Sequence, residues 1–109
     1  MNDTDKKLIY EFCGGKKIER FVAKLDGWRF GDIVYTIISD PDLNFYFKYA
    51  VPKLIYCSLT KMERAYNGNY WISEVRIEEG GKRYYGDSIG EKPDEAFGQA
   101  LLKLIKEKK

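Results

Sequence analysis

The stretch NGNYWISEVRIEEGGKRYYGDS (67–88) decides the fold of this chain, because it places two turn signals around an alternating segment. Asn67-Gly68 is typical of a two-residue β-hairpin turn, and Gly80-Gly81 marks a second tight turn. Between the turns, polar and apolar side chains alternate with the period of a β-strand. A hairpin turn needs a strand on both sides, which indicates an antiparallel meander. We predict its three strands over 56–65, 70–77 and 83–88.

The segment before the hairpin turn is ambiguous on its own. In residues 53–66, Leu54, Leu59 and Met62 belong to a set of apolar side chains that also fits helical spacing. The hairpin turn favours a strand here, and a long helix remains the alternative. The whole fold prediction depends on this choice.

Helices are predicted on both sides of the meander. The closing helix begins near Pro93, which suits a first helical turn, and we expect it to lie across the meander through Phe97, Leu101 and Leu104. The spacing of apolar residues, together with residues that typically end helices, predicts three earlier helices and one short strand. The helices are predicted over 5–13, 16–26 and 42–51, with the last cut or kinked at Pro52, and the strand over 33–38.

These elements predict one α+β domain over residues 1–109, with an antiparallel three- to four-stranded meander packed by N-terminal and C-terminal helices in a helix-sheet-helix sandwich. Hydrophobic residues make up 44% of the chain, which disfavours disorder. The net charge of +2 disfavours a protein that coats DNA. No apolar run reaches the roughly 20 residues of a membrane span, and the polar N-terminus lacks a signal sequence. We therefore expect a soluble cytoplasmic protein of a bacterial host cell.

The residue types present disfavour catalysis. The chain has no histidine, which removes the commonest base and metal ligand. Cys13 and Cys57 lie in apolar stretches and are interpreted as free, inert thiols. The carboxylate pairs Asp40/Asp42 and Glu78/Glu79 fall at predicted turns, where solvated acids are commonplace. We expect no enzyme activity, no metal and no cofactor.

Candidate binding residues are aromatic and basic, since Tyr, Trp and Arg are enriched at interface hot spots. If Trp28 is exposed, it forms one candidate binding site together with Arg29. The alternative is that Trp28 lies in the hydrophobic core. Further candidates lie on neighbouring strands of the predicted meander. Tyr84 and Tyr85 are adjacent in the sequence, so their rings must point to opposite faces of a strand, and only some of the candidates can share one surface. The complete set of candidates is Trp28, Arg29, Tyr70, Arg76, Lys82, Arg83, Tyr84 and Tyr85.

Three stretches resemble the phage ABA sandwich domain, a diffuse group of small phage and prophage proteins. They are FVAKLDGW (21–28), SDPDLNFYFKYAVPKL (39–54) and KPDEAFGQALLKLI (92–105), with the hairpin NGNYWISEV (67–75) between the last two. The resemblance implies a helix-sheet-helix sandwich and a phage or prophage origin. It implies no established activity and supplies no catalytic residues.

Three functional hypotheses follow. The first is a non-enzymatic phage protein that binds a host protein or a protein–nucleic acid complex, with an anti-defence inhibitor of the anti-CRISPR type as its concrete form. The second is a module that binds single-stranded or double-stranded nucleic acid directly. Against the double-stranded form, Asp94 and Glu95 stand where phosphate-binding lysines would be needed. The third is a protein that sequesters a nucleotide-like ligand. A membrane partner is not expected, and a homodimer stays open.

Overall fold

The chain folds into two compact units, Met1–Pro41 and Asp42–Lys109, each with its own antiparallel three-stranded sheet. A helix begins the first unit and another ends the second. The predicted α+β class, with N-terminal and C-terminal helices, is therefore confirmed, while the single domain stays a prediction. The computed structural model describes residues 1–22, 25–36, 40–64 and 68–109.

Helix α1 (Asp3–Phe12) opens the first unit and confirms the helix predicted over 5–13. The side chain of Asn2 caps it, because its Oδ1 accepts the backbone N–H of Asp5 at 2.8 Å. Three strands follow and pair in sequence order as a meander. They are β1 (Lys16–Val22), β2 (Leu25–Phe30) and β3 (Ile33–Thr36).

The helix predicted over 16–26 is wrong for the described residues, since 16–22 belong to β1 and 25–26 to the start of β2. Gly27, just after the predicted helix, lies inside β2 opposite Ile18 and Thr36. The apolar residues of this segment fit a helical period by coincidence. What decides its structure is non-local: strand pairing places Trp28 and Phe30 on one side of β2, where both are buried.

The core of the first unit is aromatic. The Tyr10 ring of α1 stacks on Trp28 with centroids 5.2 Å apart, and it also contacts Phe30 and Tyr35 at 6.2 Å each. The Tyr10 hydroxyl donates to the backbone oxygen of Thr36 at 3.4 Å. One side chain of α1 thereby holds the helix against β2 and β3.

The second unit opens with a short irregular helical segment. Helix α2 (Leu43–Phe45) continues as a π-helical turn over Tyr46–Ala50 and a 3₁₀ turn over Val51–Lys53. This confirms a helix over 42–51, although Pro52 lies within the last turn and does not end it. The side chain of Asp42 begins the segment by accepting the Phe45 N–H at 2.9 Å.

The predicted meander is confirmed in the second unit. Strand β4 (Tyr56–Arg64) pairs with β5 (Gly68–Glu79), which pairs with β6 (Lys82–Gly90), all antiparallel. The alternative of a long helix over 53–66 is thereby wrong for the described residues 56–64. Gly80 and Gly81 adopt φ values of 60° and 78°, a conformation that side chains disfavour, and so form the second turn. Part of the first turn, residues 65–67, lies outside the described residues.

Helix α3 (Pro93–Lys108) covers one face of this sheet. Phe97, Leu101 and Leu104 are all buried, which confirms the predicted packing stripe. The closest approach is at Gly86 of β6, where an added Cβ would lie 2.0 Å from the backbone oxygen of Ala100. Only a residue without a side chain lets the helix backbone sit this close to the strand.

Candidate docking surface

The sheet of the second unit has two unlike faces. On β5, Ser73, Val75 and Ile77 are buried on the side that α3 covers. The residues between them point to the opposite side, because strand side chains alternate. The cross-strand pairing extends this opposite side to β4 and β6. We call it the open face; it consists of Tyr56, Ser58, Thr60, Met62, Tyr70, Ile72, Glu74, Arg76, Glu78, Arg83, Tyr85, Asp87 and Ile89.

Exposed apolar side chains concentrate on the open face. Seven large apolar side chains are exposed in the described residues, and Tyr56, Met62, Tyr85 and Ile89 of the open face are four of them. Ile89 has 59% of its surface accessible to solvent. Single exposed apolar residues are ordinary on any protein, whereas several on one face indicate an interaction surface.

An aromatic row crosses one end of the open face. Tyr56, Arg76 and Tyr85 are cross-strand neighbours on β4, β5 and β6. The Arg76 guanidinium carbon lies 4.8 Å from the centre of the Tyr56 ring and 5.5 Å from that of Tyr85. These cation–π contacts hold the long arginine side chain between two partly exposed rings. The row therefore presents a pre-ordered cluster of the residue types that dominate protein interfaces.

An acidic row lies beside the aromatic row. Glu74 and Asp87 stand directly opposite each other on β5 and β6, an arrangement that is unfavourable without counter-charges. Arg76 lies 3.7 Å from Glu74, and Lys103 of α3 lies 4.0 Å from Asp87. The Tyr85 hydroxyl also donates to Asp87 at 3.2 Å. Cations and a hydroxyl thus offset this pair of carboxylates.

The acidic row affects the ionisation of Tyr85. Loss of surrounding water raises the pKa of the Tyr85 hydroxyl above 10.0, and the carboxylates of Asp87 and Glu74 raise it further. Arg76 acts in the opposite direction. The phenol therefore stays protonated at neutral pH and remains a hydrogen-bond donor.

An aliphatic row lies on the other side of the acidic row. It is formed by Thr60, Ile72 and Ile89, again one residue from each strand. Met62 and Tyr70 form the next pair along the face. The open face is therefore banded, with a carboxylate band between an aromatic band and an aliphatic band.

The structure separates the predicted binding residues into three groups. Tyr70, Arg76, Arg83 and Tyr85 share the open face, and Arg83 pairs with Glu78 at 3.6 Å. By strand alternation, Lys82 and Tyr84 fall on the α3 side of the sheet, Lys82 at its exposed end. This agrees with the expectation that neighbouring rings in the sequence face opposite ways.

The third group belongs to the first unit. Trp28 is buried beneath Tyr10, so the expectation of an exposed Trp28 is wrong. Its neighbour Arg29 is exposed on β2. The cause is the aromatic core of this unit, which needs a large ring on the side of β2 that faces α1.

Four large apolar residues of the open face were not among the predicted candidates: Tyr56, Met62, Ile72 and Ile89. The signal that could have found them is the two-residue alternation. Once 56–64 is a strand, Tyr56 and Met62 must share a face with Arg76 through the antiparallel register.

Two clefts border the open face. One, of about 550 Å³, is lined by residues that include Tyr70, Ile89, Glu91 and Glu95. The other, of about 420 Å³, lies between Ile72, Ile89 and Lys103. The nucleotide hypothesis predicts a deep pocket that combines tyrosine with lysine or arginine, and neither of these clefts has that lining.

The residues weighed for catalysis have structural partners. Asp40 lies 3.3 Å from the Lys6 Nζ atom, and Asp42 caps α2. Glu79 pairs with Lys108 of α3. Cys13 is buried, and Cys57 is a half-buried free thiol. Within the described ranges, no three acidic or cysteine side chains come together in a way that could hold a metal ion.

Comparison with protein-family models, with curated proteins and with solved structures finds no match to this chain. The resemblance to the phage ABA sandwich domain therefore stays a prediction. None of the described helices has both the length and the apolar character needed to cross a membrane.

Proposed function

We propose that this protein is a non-enzymatic binding module whose open face docks onto another protein. The observation that carries the proposal is the concentration of partly exposed Tyr56, Tyr85 and Ile89 on one sheet face, around an Arg76 held between two rings. Rigid aromatic side chains contribute contact area at low entropic cost, and pre-ordered groups lose little freedom on binding.

The charges of the open face favour a protein over a nucleic acid. Among the side chains that the structure describes, the face carries three carboxylates, those of Glu74, Glu78 and Asp87, against two arginines, Arg76 and Arg83. Both arginines lie within ion-pair distance of a carboxylate on the same face. Nucleic-acid affinity depends on cations that neutralise phosphates, and the arginines of this face already lie beside its own carboxylates. We expect the matching surface of the partner to be apolar, with a basic group opposite the acidic row.

The identity of the partner is proposed from the resemblance alone. Small phage proteins of the resembling group imply a bacterial host, so we propose a cytoplasmic host protein, with a defence effector as its specific form. A protein–nucleic acid complex fits the same proposal if the contact is with its protein surface.

The proposal is tested by affinity capture from a bacterial lysate treated with nuclease. The two variants to compare are Ile89→Lys on the open face and Gln99→Lys on α3. Both wild-type residues are exposed, and both changes introduce the same charge. We expect wild type and Gln99→Lys to retain one dominant protein partner. The amount of this partner captured by Ile89→Lys should be at least tenfold lower.

Two results would contradict the proposal. Retention of the partner by Ile89→Lys at the level of Gln99→Lys would place the interface elsewhere. Loss of all partners after nuclease treatment, together with binding to a single-stranded oligonucleotide that falls steeply with salt, would favour the nucleic-acid hypothesis.

A further inference from the structure

The two edge strands of the second sheet differ in the contacts that they make with the closing helix α3. Strands β4 and β6 are the edges, because the strand order is β4-β5-β6. On β6, the N–H of Tyr85 donates to the Glu107 carboxylate of α3 at 3.1 Å. Lys103 of α3 also reaches Asp87 on the same strand. Side chains of the closing helix therefore occupy and screen the β6 edge.

The β4 edge has no such cover from the closing helix. Among residues 40–64 and 68–109, the strand pairing and the remaining backbone hydrogen bonds join β4 to β5 alone. The register from Tyr56 to Arg64 runs over nine residues without a bulge, and the strand contains no proline. A regular edge strand of this length can act as a template for a further strand.

We infer that β4 pairs antiparallel with β4 of a second copy of this chain, joining two three-stranded sheets into one of six strands. The inference goes beyond the proposed function and does not depend on it. Identical strands that meet across a two-fold axis form a self-complementary contact. If residue i of the first copy faces residue j of the second, then residue j of the first copy faces residue i of the second.

The charge pattern of β4 disfavours the parallel alternative. All its charged residues, Lys61, Glu63 and Arg64, lie in the second half of the strand, whereas residues 56–60 are uncharged. Thr60 is the middle residue of β4, so a two-fold axis there pairs all nine residues of the strand, and each charged residue faces an uncharged one from the other copy. A parallel pairing in register would instead place Lys61 against Lys61 and Glu63 against Glu63, which is unfavourable.

The pairing has a geometric consequence that can be measured. Thr60 would face its own copy across the axis, and opposed residues in antiparallel strands have Cα atoms about 4.5–5.5 Å apart. This lies within the roughly 4.4–6.8 Å that a disulfide spans. A cysteine at this position would cross-link the two copies without moving the backbone.

The experiment combines oligomeric state with cross-linking in the full chain. The wild-type mass is measured by light scattering at about 100 µM, a concentration at which even a Kd of order 10 µM leaves most of the protein dimeric. Thr60→Cys and the control Ile89→Cys are then oxidised in a Cys13→Ala/Cys57→Ala background, after circular dichroism confirms folding. Ile89 is exposed on the open face but lies on β6, away from the proposed axis.

We expect twice the chain mass for the wild type and a dimeric disulfide that forms at least tenfold faster for Thr60→Cys than for Ile89→Cys. Thr60→Pro should raise the dissociation constant at least tenfold, whereas Thr60→Val should stay within about twofold. A monomeric wild type would overturn the inference. A dimer in which Thr60→Cys cross-links no faster than Ile89→Cys would also overturn it, because the contact would then lie elsewhere.

Discussion

Two residues make contacts that shape the two faces of the second unit's sheet. Gly86 lets the backbone of α3 reach β6, because even one added carbon would meet the backbone oxygen of Ala100 and the backbone nitrogen of Leu104. Arg76 orders the aromatic row by lying between Tyr56 and Tyr85. The first contact sets how the helix covers one face, and the second orders side chains on the other face, which we propose binds a protein.

Replacing Gly86 with alanine tests the close helix–strand contact. The methyl group has no flexible neighbour to displace, since the nearest atoms are backbone, so α3 must shift away from the sheet. We expect a loss of about 1–3 kcal/mol in the free energy of unfolding, measured by urea denaturation. Ser88→Ala, half-buried on the same strand and face, is the matched control. Equal stability of Gly86→Ala and wild type would contradict the packing described here.

Tyr85 gives a second test at this scale, through its titration. Its pKa is raised in the folded protein by loss of water and by Asp87 and Glu74. The stabilisation linked to the protonated phenol is therefore fully present below the unfolded pKa of about 10 and is lost as pH rises through the higher folded pKa. The absorbance difference between wild type and Tyr85→Phe near 295 nm reports this ionisation.

We expect the titration midpoint of Tyr85 above 10.0 and a lower midpoint in Asp87→Asn, which removes both a carboxylate and a hydrogen-bond acceptor. A midpoint that Asp87→Asn leaves unchanged would show that the carboxylate does not act on the phenol.

At the scale of elements, the second unit depends on the closing helix and on the irregular segment at its start. Tyr46 of the π-helical turn contacts the Phe97 ring with centroids 5.1 Å apart. Leu101 and Leu104 complete the buried stripe of α3 against the sheet. The sheet thus has one face packed against α3 and an opposite face that carries exposed apolar side chains.

Truncating Leu101 to alanine tests the contribution of the closing helix. The side chain is fully buried, so its removal leaves a cavity beside the sheet, and we expect a loss of about 2–5 kcal/mol in the free energy of unfolding. The control Gln99→Ala changes the exposed side of the same helix and should alter stability by less than about 0.5 kcal/mol. If both variants unfold at the same urea concentration, α3 does not pack as described.

The cap of the irregular segment is a smaller effect at the same scale. Asp42 accepts the Phe45 N–H through its side chain, and Asp42→Ala removes this acceptor. We expect a cost of about 1 kcal/mol, measured by thermal or urea unfolding, with Asp42→Asn retaining most of the stability. An asparagine variant as unstable as the alanine variant would indicate that the cap is not the cause.

Sequence patterns predicted the second unit better than the first, for a physical reason. The turns at residues 67–68 and 80–81 and the stripe of α3 are local signals, and they were sufficient to predict the meander and its covering helix. In the first unit, pairing between β1 and β2 depends on contacts distant in sequence, centred on Tyr10 and Trp28. A local helical period therefore misled the prediction for 16–26.

The candidate surface was predicted only in part. Arg76 and Tyr85 were found from residue type, because arginine and tyrosine are common at interfaces. Tyr56 and Ile89 were missed, since their place on the same face follows from a register that residue type does not reveal. Trp28 shows the opposite error, because a tryptophan serves equally well in an aromatic core.

For the whole molecule, the central claim is that the open face of the second unit binds a protein. Hydroxyl-radical footprinting of the free chain, and of the chain in complex with the partner captured after nuclease treatment, tests it most directly. The reporters are Tyr56, Met62 and Tyr85, and Phe47 is the reference, since it is exposed at 51% on the helical segment and not on the open face. We predict oxidation of all four side chains in the free protein and at least fivefold protection of the three reporters in the complex, with Phe47 unchanged. Unprotected reporters, or a free protein in which they resist oxidation, would contradict the account.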